Sequence, residues 1–331
     1  MTTADAAASR FVDGIDSVEP FGAGHINETF LVRASGGEYV LQRINREVFT
    51  DVEALMGNVL AVLRRLAGRY VPEPLAARDG TWLVHEGGDA WRAWTRVAGA
   101  APVTVITPET VRSAAELLGR FHSAVAGIDP GRLAMTLPGF HDPRRRLASL
   151  RDAIAVDPCD RARTMPEEIE QALGASVIVD RAELVSAHVP LRVTHNDAKL
   201  DNFLFRDSEA VCIVDVDTLM PGAWFWDVGD LLRTGSTTAG EDDPDVRVDP
   251  TLYAAILDGY RESVAGTATS DEIEAIESAG AIVTYEQALR FLTDWLLGDV
   301  YYRTTYAAQN RDRARAQFRL LASMPGTVAT P

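Results

Sequence analysis

Two periods of apolar residues divide the chain. Between Val18 and Ile44 apolar and polar positions alternate in short runs, which predicts a strand ending near Phe21 and strands over 29–32 and 39–44. Residues 34–37 (ASGG) form a tight turn between the last two. From about Asp51 to Leu66 the period lengthens, and Val52, Leu55, Val59, Val62, Leu63 and Leu66 make one stripe at helical spacing. Pro72 and Pro74 break the chain before two more strands, 82–85 and 90–97. Beyond Gly99 the pattern is mainly helical: Thr107, Pro108 and Glu109 open a helix whose Val111, Ala114, Leu118 and Phe121 share a face. A loop over 137–143 leads into mixed helices to about His188, then a short strand at Leu191 and Val193 and a hairpin from runs 203–205 and 211–214. Thr269 and Glu272 form a capping box, after which Ile273, Ile276, Val283, Ala288, Leu292, Trp295 and Leu296 are core candidates in a tract reaching Met324. The first 15 or so residues read as a loose end or short helix. This order predicts an α+β fold: a small N-terminal antiparallel-sheet lobe with one helix, 1–97, then a larger, mainly helical lobe, 98–331. A length of 331 residues also exceeds one typical core.

Polar residues gather where strands end. His195, Asp197, Lys199, Asn202, Asp215 and Asp217 all occupy such positions, where a rigid scaffold presents reactive side chains. Asp197 and Asn202 are five positions apart, the D-x-x-x-x-N spacing of the kinase catalytic loop, in which the Asp orients the substrate hydroxyl and the Asn holds magnesium. Asp215, thirteen positions further across the hairpin, supplies a second hard oxygen ligand, and Asp217 is a further metal candidate. Lys199 is placed to meet the transferring phosphate, and His195 to hydrogen-bond within the loop. Asp and Asn are common in turns for local reasons, but their coincidence with His195, Lys199 and the hairpin marks an active site.

Upstream, Gly22 and Gly24 form a turn that lets the backbone approach phosphates, although Asn27 stands where a G-x-G-x-x-G loop has its third glycine. The 39–45 strand is expected to carry the cation for the α- and β-phosphates: Arg43, with Gln42 as the alternative register. Glu53, ahead of Glu47, is its expected ion-pair partner on the following helix. Trp91 and Trp94 read as core packing, and the acidic run 241–245 as a solvated loop.

A formal net charge of −16 and a pI near 4.8 argue against a nucleic-acid partner. No apolar run is long enough to span a bilayer, and the N-terminus lacks the features of a signal peptide, so a cytoplasmic protein with no membrane partner is expected. Cys159 and Cys212 have no metal-type spacing, and Cys212 reads as a buried thiol.

The segments HNDAKLDN, VDVDT and FWDVGD resemble the aminoglycoside phosphotransferase and choline kinase superfamily, which has a protein-kinase-like fold. FGAGHINETF, YVLQRIN, LPGFHDP, DTLMPG, RTGSTTAGEDD and RFLTDWLLGDVYYRT are similar to one branch, the N-acetylhexosamine 1-kinases. The likeness spans residue 21 to about 320. It implies ATP and Mg2+ as cofactors, and a monomer or homodimer that phosphorylates the anomeric hydroxyl of a free N-acetylhexosamine. It also implies that Asp227 braces the catalytic loop, and that His25, Arg233, Thr234, Arg290 and Tyr301 join Asp197 in binding the sugar. Aminoglycoside or choline-like acceptors are the competing expectation. A two-metal hydrolase using His195, Asp197, Asp215 and Asp217, and an inactive nucleotide-binding scaffold, are the rivals outside the kinases.

Overall fold

The alternation in the N-terminal third builds a six-stranded antiparallel sheet. In the computed structural model, which describes residues 2–22, 26–66 and 68–325, its strands are β1 (Ile15–Pro20), β2 (Glu28–Ala34), β3 (Gly37–Arg43), β4 (Pro74–Leu75), β5 (Val84–Glu86) and β6 (Asp89–Thr95). They run in the order β1-β2-β3-β6-β4, with β5 paired to β6. Gln42 lies opposite Arg92 and Val40 opposite Trp94, so these four residues share one face while Leu41 and Arg43 share the other.

Each face is covered by one helix. Helix α1 (Thr3–Phe11), capped by a reciprocal Thr2–Asp5 box, buries Ala4, Ala7, Ala8 and Phe11 against the Leu41 side. The chain start is therefore a docked helix: alanines carry too weak an apolar signal to show its packing in the sequence. Helix α2 (Val52–Leu66) follows the expected stripe and shares a core with Val40 and Trp94 on the opposite side.

The helical part contains β7 (Ala101–Pro102), α3 (Pro108–Val125), α4 (Pro143–Val156), α5 (Pro166–Gly174), α6 (Val177–His188), β8 (Arg192–Thr194), β9 (Phe203–Arg206), β10 (Glu209–Ile213), β11 (Met220–Gly222), α7 (Trp224–Gly235), α8 (Pro250–Ser263), α9 (Ser270–Leu297) and α10 (Gln309–Ser323). Helix α9 is 28 residues long and forms the spine on which α4, α6, α7 and α10 pack, while α3 lies along α8. Two small antiparallel ladders, β10-β9-β7 and β11-β8, sit beneath the N-terminal sheet and carry the polar strand ends. The architecture is α+β, an antiparallel-sheet lobe joined to a helical lobe. Cys212 is buried in β10, and burial pushes its thiol up to about 12. Among the described residues no helix is long and apolar enough to cross a membrane.

Candidate active site

The loop between β8 and β9 is held from below by one carboxylate. Asp227, in the first turn of α7, accepts the His195 amide at 2.8 Å on one oxygen and the Asn196 amide at 2.6 Å on the other. Its partner from α3 is His122, whose Nε2 lies 2.8 Å away, and His122 Nδ1 lies 2.8 Å from the Tyr260 hydroxyl. Burial holds His122 below its ordinary value even beside Asp227, and burial keeps the Tyr260 hydroxyl protonated. Proton donation thus runs from Tyr260 to His122 to Asp227. His195 turns back on the loop, with Nδ1 accepting the Asp197 amide at 3.3 Å and Nε2 donating to the Val214 carbonyl at 3.0 Å.

Above that brace, Asp197 Oδ2 accepts from Asn202 Nδ2 at 2.9 Å and from Lys199 Nζ at 3.3 Å. Burial pushes the Asp197 carboxyl up, but Lys199, His195 and Asn202 together hold it below its ordinary value. Asp197 in turn raises Lys199 well above the usual lysine range, with Asp215 and Asp230 adding to it. The Val214 amide donates to the Asn202 carbonyl at 2.8 Å, which sets Asp215 beside the loop in a left-handed conformation (φ 62°). Asp215 is accessible from the cleft, yet protein crowds it closely. Desolvation first, then the charges of Asp217 and Asp197, push its carboxyl up to about 6. Bringing a cation there relieves that crowding. Asn202 donates its amide N–H groups to Asp197, which leaves Oδ1 as a second hard donor beside Asp215. Among the described residues no three His, Cys, Asp or Glu side chains gather into a metal cage, so phosphate or water oxygens must complete any coordination shell.

The cations of the cleft differ from expectation. Arg43 points to the far face of the sheet, where it pairs with Glu28 and, at 3.0 Å, with Asp89. Glu53 is exposed and lies 3.6 Å from His85, so the Arg43–Glu53 pair does not form. The period-two rule explains this: Gln42, one residue earlier, has the cleft side. Gln42 accepts from Arg92 Nε at 3.0 Å and from Trp94 Nε1 at 2.8 Å. Arg92, buried on β6, pairs with Asp217. Asn27 also donates to Asp217, so that carboxylate is engaged by two side chains of the sheet lobe and is not free as a metal ligand. Arg92 is the residue the sequence reading missed, and its signal was a lone charge between Trp91 and Trp94. Gly22 adopts φ 75°, as a glycine-requiring turn should. Gly24 and His25 lie outside the described residues.

A model of the phosphotransferase enzyme family (APH) matches residues 17–273. The chain belongs to this family. Its fold is shared with solved structures at low identity. An aminoglycoside phosphotransferase from Alicyclobacillus acidocaldarius gives a TM-score of 0.65 at 17% identity, covering 95% of this chain and 93% of that one. The amicoumacin kinase hAmiN, solved with AMP-PNP, Ca2+ and Ami, gives 0.61 at 16%, covering 98% and 94%. A choline kinase from Cryptosporidium parvum gives 0.59 at 15%, covering 92% and 87%.

In this phosphotransferase the wall facing Asp197 comes from α7, α9 and the chain after α9. Arg290 lies over the rings of Tyr302 (5.5 Å), Phe140 (5.7 Å) and Tyr301 (6.0 Å). Its guanidinium donates to Gln287 at 3.1 Å, has no carboxylate at ion-pair distance among the described residues, and feels the charges of Glu286 and, less strongly, Asp197. Tyr301 is 58% exposed. Two other candidates are engaged within the protein. Arg233 is buried between Asp230 (2.9 Å) and Glu241 (3.1 Å). The Thr234 hydroxyl accepts the Leu200 amide at 2.9 Å and donates to the Asp230 carbonyl at 2.8 Å, so it braces the loop. The acidic run is not freely solvated: Glu241 reaches Arg233 and Arg313, and Asp242 accepts from Gln309 at 2.9 Å and Tyr306 at 3.0 Å.

Proposed function

We propose that this phosphotransferase moves the γ-phosphate of MgATP to the anomeric hydroxyl of an N-acetylhexosamine, giving a sugar 1-phosphate and ADP. In this reading the sugar oxygen bonds to the γ-phosphorus, the bond from that phosphorus to the β-bridging oxygen breaks, and the hydroxyl proton passes to Asp197. A carboxylate held below its ordinary value is a weak base, so its main work is orienting the hydroxyl until the proton leaves late in the transfer. Asn202 and Asp215 are assigned to magnesium, which neutralises phosphate charge when bound. The nucleotide and a divalent ion accord with the AMP-PNP and Ca2+ of the amicoumacin kinase. Lys199 faces the transferring group. Arg92 is the cation on the cleft side of the sheet where Arg43 was expected; buried and paired to Asp217, it adds positive charge beneath the nucleotide site without being assigned a contact to phosphate. The division at 97/98 is part of the same reading, with the nucleotide between the lobes.

One observation carries the choice of acceptor: Arg290 lies among the Phe140, Tyr301 and Tyr302 rings with no carboxylate at ion-pair distance among the described residues, under the charges of Glu286 and, more weakly, Asp197. A polycationic aminoglycoside needs an acidic wall, and Arg290 opposes one. A choline-like cation needs open ring faces, and Arg290 already occupies them. A neutral polyol fits both constraints, since a guanidinium donates to hydroxyl and acetamido oxygens and no ring face has to be open. The hydrolase alternative fails on its ligands, because both His195 nitrogens and the Asp217 carboxylate are engaged.

The test is ADP release with MgATP and N-acetylglucosamine, N-acetylgalactosamine, glucosamine, glucose, kanamycin or choline, with Asp197→Asn as control. Release that depends on an N-acetylhexosamine, is lost in the mutant and gives an anomeric phosphate by phosphorus NMR is the expected result. Release driven by kanamycin or choline instead overturns the acceptor assignment.

A further inference from the structure

His141, in the loop before α4, ends on the same peptide bond that positions Asp197. Its Nε2 lies 3.0 Å from the Asn196 carbonyl and its Nδ1 2.9 Å from Glu286 Oε2 on α9. The Asn196 carbonyl and the Asp197 amide belong to one peptide plane. That plane follows a left-handed residue, Asn196 at φ 65°, a conformation asparagine tolerates. Its N–H edge is gripped by His195 Nδ1 and its carbonyl edge by His141.

We propose that His141 is a positioning residue for phosphoryl transfer: a doubly protonated imidazole, clamped between Glu286 and the Asn196 carbonyl, that sets the peptide plane in front of Asp197. The proposal rests on the reading of Asp197 as the residue that orients the acceptor hydroxyl.

Both partners of the ring are acceptors, a carbonyl and a carboxylate, so each nitrogen must carry a hydrogen to bond both. Glu286 is tied down on its other oxygen, Oε1, by the Asp142 amide at 3.0 Å and by Arg146 Nε at 3.6 Å. The ring stacks on Trp226 (4.8 Å, 5° between planes) and meets the edge of Phe140. Other charges facing the pair are Asp230 from α7 and Arg290 from α9. Burial works against the charged ring, yet Glu286 and Asp230 hold His141 above its ordinary value, and Glu286 stays below its own. His122 is the contrast: it too stacks on a tryptophan beside a carboxylate, but its second partner is a hydroxyl and it stays neutral. Glu286 and Arg290 lie one turn apart on α9, so one helix anchors the catalytic loop and faces the acceptor wall.

The experiment compares wild type with His141→Phe, which keeps the stacking surface and removes the donor, and His141→Gln, whose amide nitrogen takes the place of Nε2. MgATP affinity, melting temperature and turnover with the best acceptor, or MgATP hydrolysis with water as acceptor, are measured for each. We expect His141→Phe to bind MgATP within about threefold of wild type and lose turnover by about 10- to 100-fold, with His141→Gln recovering much of it. Turnover by His141→Phe at the wild-type rate, or His141→Gln as slow as His141→Phe, overturns the proposal. An independent readout comes from 15N-histidine NMR near pH 8, above the ordinary histidine range. One ring should show both nitrogens protonated, and its signals should vanish in His141→Gln; the absence of such a ring overturns the clamp even if His141→Phe does not fold. Failure of the sugar assignment appears instead in the acceptor dependence of the wild type.

Discussion

Arg92 and Arg43 sit on neighbouring strands in opposite surroundings. The Arg92–Asp217 pair keeps 1% and 2% of its side chains exposed, whereas Arg43 and Glu28 keep 36% and 49%. Removing one member of a buried pair leaves a charge without compensation, so Arg92→Met should cost about 3–5 kcal/mol in urea unfolding. Arg43→Met should cost about 0–1 kcal/mol, because water already screens that pair. A larger loss for Arg43→Met than for Arg92→Met would reverse the assignment of faces. The contrast also explains what could be read from the sequence at this scale. Asp197, Lys199, Asn202 and Asp215 follow one another along a single loop and hairpin, so their spacing carries their geometry. Strand β6 is buried on both faces, so alternation gives no hint of where Arg92 points. His141 and Glu286 are 145 residues apart, and no local pattern joins them.

Helices α7 and α9 decide whether that loop is held in place. Gly229 lets them touch: a Cβ there would stand 2.5 Å from the Ala279 carbonyl oxygen and from Val283 Cγ2. Gly229→Ala should therefore cost about 1–3 kcal/mol by forcing α7 away. Because Asp227 precedes it by less than a turn, turnover should fall more than MgATP binding does, measured by ADP release and by calorimetry. At the start of α9 the Thr269–Glu272 capping box forms as its sequence predicts, and Glu272 also holds Arg192 through two bonds of 2.8 and 2.9 Å. Burial raises the Glu272 carboxyl, but Arg192 and the Thr269 amide bring it below its ordinary value near 4.5. A carboxyl lowered on folding contributes stability above its unfolded value and loses it as pH falls through the folded one. Wild type should thus be more stable than Glu272→Gln at neutral pH, with the gap in urea midpoint closing below about pH 4. A gap that widens in acid would contradict this. Capping boxes and apolar stripes are local and were legible; the α7–α9 contact joins distant segments through a residue with no side chain, and was not.

The whole molecule is held together across the cleft by more than its hinge. Asn58, buried on α2, donates to the Ala134 and Leu219 carbonyls at 2.8 and 2.9 Å and accepts the Ala134 amide at 2.8 Å. Asn27 and Arg92 reach down to Asp217 in the same way. Asn58→Ala strands those backbone groups without partners, at a cost on the order of 3 kcal/mol by denaturant unfolding. The run of strands followed by helices revealed the two parts of the fold, but an asparagine inside an apolar stripe gave no sign that it bolts them together. In protein kinases the corresponding helix carries the glutamate whose placement is subject to control. Here that helix offers no such glutamate to the cleft, and a three-bond fastening fixes it to the other lobe. A helix fastened in this way is bound to the floor of the cleft as well as to its own sheet, so both lobes share in placing it.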